Sequence, residues 1–142
     1  MAARSPRIGM LLVEDNPDDA ELLKEFVRRT GYQVNVMVAE DGQRAIDILN
    51  QVYRQSMPEP DVILLDVNVP KKSGHAVLEE IRDRGGKSRA IVYSGSKSPE
   101  DVTKAKASGA DGYLVKPMTS DEISKLISEL KSIFQSLGST PE

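Results

Sequence analysis

Apolar positions along this chain fall into two alternating kinds of segment. Short runs rich in branched aliphatic residues predict strands over 8–13, 34–38, 62–66, 90–93 and 112–115. Between them, apolar residues recur at helical spacing. Ala20, Leu23, Phe26 and Val27 share one side of 17–29, and Ala45, Ile46, Leu49 and Val52 share one side of 43–53. Val77, Leu78 and Ile81 do the same in 74–82. The clearest stripe is Ile123, Leu126, Ile127, Leu130, Phe134 and Leu137 in 121–137, whereas 99–107 offers only Val102 and Ala105. The helix starts carry local signals. Asn16-Pro17 and Ser98-Pro99 each place a capping side chain before a proline at the first helical position. Thr119 followed by Glu122 reads as a capping box.

Strict alternation of strand and helix predicts a parallel sheet with helices on both faces. The first, third and fourth strands are nearly continuous apolar runs, as central strands are. The second alternates, Val34-Asn35-Val36-Met37-Val38, as a strand with one wetter face does. The expected fold class is therefore α/β: a single doubly wound (βα)5 domain with a five-stranded parallel sheet in the order 2-1-3-4-5, a flavodoxin-like arrangement. The domain is expected over 7–137, with flexible tails at 1–6 and 138–142. The stretch 56–60, with Pro58 and Pro60, is expected to be a surface loop.

Composition narrows the function. A chain of 142 residues is of single-domain size and long enough to bury a core without covalent staples. There is no cysteine, which excludes disulfides, thiolate metal sites and thiol catalysis. A net charge of −3 and the absence of tryptophan give no footprint for nucleic acid, and no segment reads as a DNA-binding domain. No apolar stretch approaches the roughly 20 residues that span a bilayer, and the polar start is not a signal peptide, so the expected setting is the cytoplasm, away from membrane. One histidine, His75, cannot make a multi-histidine site.

The strand ends carry the chemistry. Met10-Leu11-Leu12-Val13 runs into Glu14 and Asp15, and Val62-Ile63-Leu64-Leu65 into Asp66. Ile91-Val92-Tyr93 ends at Ser94, and Tyr113-Leu114-Val115 at Lys116. In a parallel sheet these ends share the edge where open α/β folds bind their ligands. Magnesium takes hard oxygen donors and keeps several waters, so Glu14, Asp15 and Asp66, with a backbone carbonyl near Asn68, suffice for Mg2+. Lys116 and Ser94 suit a phosphoryl group, and Asp66 is placed to act as the nucleophile that becomes an aspartyl-phosphate.

Val13-Glu14-Asp15, Leu65-Asp66, Asn68, Pro70, Gly74, Ser94-Gly95, Tyr113 and Lys116-Pro117 together resemble the receiver domain of two-component response regulators (CheY-like) across residues 7–137. The acidic run from Val13 to Leu22, with Asn68 two residues after Asp66, is most similar to stand-alone regulators paired with phytochrome-type histidine kinases. The resemblance implies a role for each matched position. Asp66 is the phosphoacceptor. Glu14, Asp15, Asp66 and the Asn68 carbonyl hold magnesium. Lys116 contacts the phosphoryl group, Ser94 is the switch hydroxyl, and Tyr113 is the switch aromatic that turns inward. It also implies a cis Lys116–Pro117 bond, and a place for Asn68 and Ser96 beside the path of a hydrolytic water.

The implied function is a phosphorylation switch that catalyses its own magnesium-dependent phosphorylation and dephosphorylation, rather than an enzyme with a turned-over substrate. Its implied partner is a sensor histidine kinase or a histidine phosphotransfer protein, with a downstream protein reached directly or through a phosphorelay. The face of the fourth helix, fifth strand and fifth helix is expected to serve for binding or dimerisation. Two other readings stand beside this one: an inactive pseudo-receiver acting as an interaction module, and a phosphatase with an Asp nucleophile. Asn68 stands where such a phosphatase needs a second acid, and it cannot do acid–base chemistry. One departure from the family pattern is Ser73, where an aspartate usually precedes the glycine.

Overall fold

The computed structural model describes residues 7–54 and 56–138. It resolves the alternation into β1 (Ile8–Val13), α1 (Pro17–Arg28), β2 (Val34–Ala39), α2 (Gly42–Tyr53), β3 (Val62–Leu65), α3 (Gly74–Asp83), β4 (Arg89–Ser94), α4 (Pro99–Ala107), β5 (Gly112–Val115) and α5 (Ser120–Ser136). All strand pairs are parallel, in the order β2-β1-β3-β4-β5. The expected tails at 1–6 and 139–142 lie outside the described residues; Gly138 itself closes the last turn.

Each helix begins at a side chain that takes up its first free N–H groups. Asn16 Oδ1 accepts from the N–H groups of Asp18 and Asp19, so Asn16 caps α1 and leaves Asp15 free for other work. Asp41 caps α2, Ser98 caps α4, and Ser73 caps α3 by accepting from Ala76 N–H. Ser73 thus performs the capping that the aspartate it replaces is also suited to. Thr119 caps α5 as expected, but Glu122 reaches back to the N–H of Met118, one residue before the expected partner.

Two apolar layers enclose the sheet. Leu12 and Leu64 face α1 and α5, where Leu23, Phe26, Leu126, Leu130 and Phe134 are buried. Leu11, Val13, Ile63 and Leu65 face α2 and α3, meeting Ala45, Leu49, Val77, Leu78 and Ile81. Strand side chains alternate faces, so adjacent residues of one apolar run feed opposite layers. The core is continuous under β1, β3 and β4. It thins under α4, where Ala105 is the only buried residue.

Candidate functional site

The sheet register aligns the strand ends. Val13 pairs with both Ala39 and Leu65, and Leu65 pairs with Val92. Beyond the strands, Glu14 N–H donates to Ala39 O and Asp66 N–H to Val13 O, each at 2.9 Å, and Lys116 N–H donates to Ser94 O at 2.7 Å. These bonds fix the backbone at three of the candidate positions, each one residue past its strand. Asp66 therefore follows β3 rather than ending it: the ladders to β1 and to β4 both stop at Leu65, and Asp66 keeps its single N–H bond to Val13 O beyond them.

Three carboxylates converge there. Glu14 is 2 % exposed and Asp66 8 %, whereas Asp15 is exposed. One oxygen from each lies within 4.8 Å of the others. The Lys116 ammonium sits among them, 2.6 Å from Glu14 Oε1, 3.0 Å from Asp66 Oδ2 and 3.1 Å from Asp19 Oδ2. An ammonium has three donors, and all three are committed to carboxylates. The second oxygens are engaged by backbone: Glu14 Oε2 accepts from Asn16 N–H at 3.3 Å and Asp66 Oδ1 from Asn68 N–H at 2.9 Å.

Burial shapes the titration. It pushes the Glu14 carboxyl up, against the lowering effect of the hydrogen bond from Lys116. Burial pulls the Lys116 ammonium down, but hydrogen bonds to Glu14, Asp66 and Asp19 outweigh it, and its affinity for a proton rises. Tyr93, whose ring lies 5.6 Å below that ammonium, is pushed up to about 12 by burial.

Ser94 and Tyr113 lie on the neighbouring side. Ser94 is buried, with its Oγ accepting from Ser96 N–H at 3.1 Å. Tyr113 is half-buried and its hydroxyl donates to Ser96 O at 2.9 Å, so the ring is tied to the β4–α4 loop. Both line a cavity of about 330 Å³ with Val67, Asn68, Ser73, His75, Asp101 and Lys104. The structure thus gathers Glu14, Asp15, Asp66 and Lys116 into one cluster. It sets Ser94, Tyr113 and Asn68 around the adjoining cavity.

Sequence reasoning missed two features. Asp19 is a third partner of Lys116, though an acid in a first helical turn reads as a partner of the helix dipole. The β3–α3 loop is also locked to the start of α2. Gly42 N–H donates to Pro70 O at 3.1 Å, Lys71 pairs with Asp41 at 3.3 Å, and a Cβ at Gly42 would sit 1.7 Å from Lys72 O. One expectation is corrected. No peptide bond among the described residues is cis, so Lys116–Pro117 is trans. Trans is the intrinsically preferred form, and from it the lysine already reaches Glu14, Asp66 and Asp19.

The donor set fits a hard divalent cation. Three carboxylates offer oxygens at close quarters, and the exposed Asp15 opens one side to water ligands. No cysteine or second histidine competes for a softer metal.

Residues 10–128 match the response regulator receiver domain family. The chain belongs to that family. It is 31% identical to the probable methanogenesis regulatory protein FilR2 of Methanothrix harundinacea, over 99% of this chain and 92% of that one. The structure of the phosphorylated cyanobacterial phytochrome response regulator RcpA superposes with a TM-score of 0.76 at 30% identity, covering 96% of this chain and 98% of RcpA. The Mn(2+)-bound form of response regulator Rcp1, a protein of Synechocystis sp., gives 0.72 at 29% identity, covering 92% and 93%. The chain spans about half the length of several other curated relatives it matches. As a response-regulator receiver, this domain serves two-component signalling, in which a histidine kinase is the partner. No helix among the described residues is long and apolar enough to cross a membrane.

Proposed function

We propose that Asp66 is the phosphoacceptor of this receiver and that 7–137 is the unit that carries the reaction. The observation that carries the reading is the Lys116 ammonium held against Asp66, Glu14 and Asp19 at the edge where β1, β3 and β5 end. Asp66 attacks the phosphorus of a phosphohistidine on a sensor kinase or phosphotransfer protein. An O–P bond forms, the P–N bond breaks, and the imidazole nitrogen leaves with its electron pair. Lys116 must then exchange at least one carboxylate for a phosphoryl oxygen, since its three donors are taken. Ser94 supplies a hydroxyl donor, and the Asn68 N–H continues to orient Asp66 through Oδ1.

Glu14, Asp15 and Asp66, with the Asn68 carbonyl, are the residues to hold Mg2+, as an Mn(2+)-bound relative supports. When bound, the cation offsets the charge of the carboxylates and of the transferring group. Positioning and charge make up most of what phosphoryl transfer requires, so the domain catalyses its own phosphorylation and its later hydrolysis. The likeness to RcpA makes a phytochrome-type kinase the proposed donor, in the cytoplasm. The downstream partner or a second copy is assigned to the α4–β5–α5 face. The test is incubation with a small acyl phosphate and Mg2+, followed by intact mass. Gain of one phosphoryl group by the native chain, lost with chelator and in Asp66→Asn, is expected. Equal labelling of Asp66→Asn overturns the assignment.

A further inference from the structure

The Lys116 ammonium meets three carboxylates, and two of them have other work. Glu14 and Asp66 belong, with Asp15, to the cluster proposed to hold Mg2+, and Asp66 is also the proposed nucleophile. Asp19 has neither role. Its Oδ2 lies 3.1 Å from Lys116 Nζ, and its side chain is 37% exposed where those of Glu14 and Asp66 are buried. Asp19 thus stands on the solvent side of the ammonium, while the buried Tyr93 ring lies 5.6 Å from it on the core side.

The bond joins elements far apart in the chain. Asp19 is in the first turn of α1, and Lys116 follows β5, 97 positions later. The Asp19 backbone is well held. Its N–H donates to Asn16 Oδ1 at 3.2 Å, and the next residue, Ala20, is buried in the core. A short side chain on so fixed a turn offers the lysine an acceptor at a set position.

The two oxygens of Asp66 show which of the three lysine bonds is given up. Oδ1 accepts from Asn68 N–H at 2.9 Å, and Oδ2 from Lys116 at 3.0 Å. With Oδ1 kept by the backbone, Oδ2 is the oxygen that forms the O–P bond. Once it bridges carbon and phosphorus it is no longer a charged acceptor. The Lys116 donor it held is released, next to the phosphoryl oxygens attached to that same atom. Glu14 is by then shared with the cation site. Of the three partners, Asp19 is the one whose charge stays undivided.

We propose that Asp19 is a positioning residue that anchors the Lys116 ammonium from α1 while the donor released by Asp66 Oδ2 turns to a phosphoryl oxygen. This inference rests on the reading of Asp66 as the phosphoacceptor. The three donors of an ammonium radiate from one nitrogen, so a bond to Asp19 confines the other two to directions around it. Without that bond the flexible four-carbon stem has to be ordered during the transfer itself, which raises the barrier. The effect falls on the rate at saturating donor, because orientation rather than encounter is what Asp19 supplies.

The test follows phosphorylation by a small acyl phosphate at saturating Mg2+, read by intact mass across donor concentration. In Asp19→Ala the maximum rate should fall about tenfold, equivalent to roughly 1.4 kcal/mol in the barrier, without a matching rise in the donor concentration that gives half of it. Asp19→Asn loses the same charge but keeps an acceptor oxygen, so it should recover most of the rate. In the Lys116→Met background, Asp19→Ala should bring no further loss, as residues acting through one bond do. A second readout is independent of rate: the Lys116 Nζ resonance of the 15N-labelled chain with beryllofluoride and Mg2+, assigned by its absence in Lys116→Met. It should persist in the native chain and broaden away in Asp19→Ala, with the amide spectrum of the core unchanged. An unchanged or higher maximum rate in Asp19→Ala overturns the anchor. So does an equal loss in Asp19→Asn, which points to charge instead of the bond, an additive loss in the double variant, or disappearance of the native Nζ resonance on adding the mimic. If the native chain gains no phosphoryl group at Asp66, the reading of Asp66 fails; if it is labelled there and Asp19→Ala reacts at the native rate, the anchor alone fails.

Discussion

Replacing Lys116 with methionine removes the ammonium while keeping a side chain of similar length. Glu14 and Asp66 are then left buried with Asp15 beside them, oxygens within 4.8 Å of one another. Two like charges at that distance repel by about 3.5 kcal/mol at an effective dielectric near 20. Removing one partner of a buried pair costs on the order of 3–5 kcal/mol by comparison with other proteins. Two facts trim this figure. The Lys116 side chain is 19% exposed, and Glu14, already pushed up by burial, can take a proton. A net loss of about 2–4 kcal/mol in chelator is expected, or a fall in the urea midpoint of roughly 1–2 M for a domain of this size. The same repulsion predicts a coupling: Mg2+ should stabilise Lys116→Met more than the native chain, because the cation replaces the lost charge. At about 100 times its dissociation constant, the ion returns about 2.7 kcal/mol to the variant. Urea unfolding of both chains, with chelator and across a Mg2+ titration, measures it. If Lys116→Met matches native stability in chelator, or if Mg2+ shifts both chains equally, the electrostatic account is wrong.

Gly74→Ala places a Cβ 2.7 Å from Val67 Cα and 2.8 Å from Asp66 O, so backbone must move. A loss of about 1–3 kcal/mol and slower phosphorylation are expected from urea unfolding and mass kinetics, and native behaviour in both contradicts the packing argument. The Tyr53 hydroxyl is buried without a hydrogen-bond partner, so Tyr53→Phe should be neutral or stabilise by up to about 1 kcal/mol. A clear destabilisation by thermal unfolding would show a hidden partner. Burial first, then the charge of Lys104, holds His75 below the ordinary histidine range. Its neutral form is favoured in the folded state, so its stability contribution is present above a pH of about 6.5 and is lost as pH falls below that value. Across that window His75→Asn should lose stability less steeply than the native chain, and parallel urea midpoints refute this.

Much of the fold follows from local signals. The order β2-β1-β3-β4-β5 was readable because Val34 to Val38 alternates while the runs at Leu11, Ile63 and Ile91 do not. The convergence of Glu14, Asp15, Asp66 and Lys116 was readable because each follows an apolar run, and parallel strands end on one edge. What was not legible depends on contacts far apart in the chain. Asp19 meets Lys116 across 97 positions. The fit of Gly42 under Lys72, and the several bonds of Ser96, are properties of loop paths that no periodicity encodes. The trans Lys116–Pro117 bond is a local choice that the residue pair alone does not decide.

The central claim is that Asp66 carries the phosphoryl group. Its most direct measurement is chemical trapping: phosphorylation with an acyl phosphate and Mg2+, borohydride reduction, and peptide mass spectrometry. An aspartyl-phosphate is reduced to homoserine, whereas a serine phosphate survives unchanged. Homoserine at position 66 and nowhere else is the predicted result. Phosphate retained on Ser94, homoserine at position 15, 19 or any other aspartate, or the longer alcohol that a reduced glutamyl-phosphate leaves at Glu14, contradicts the account.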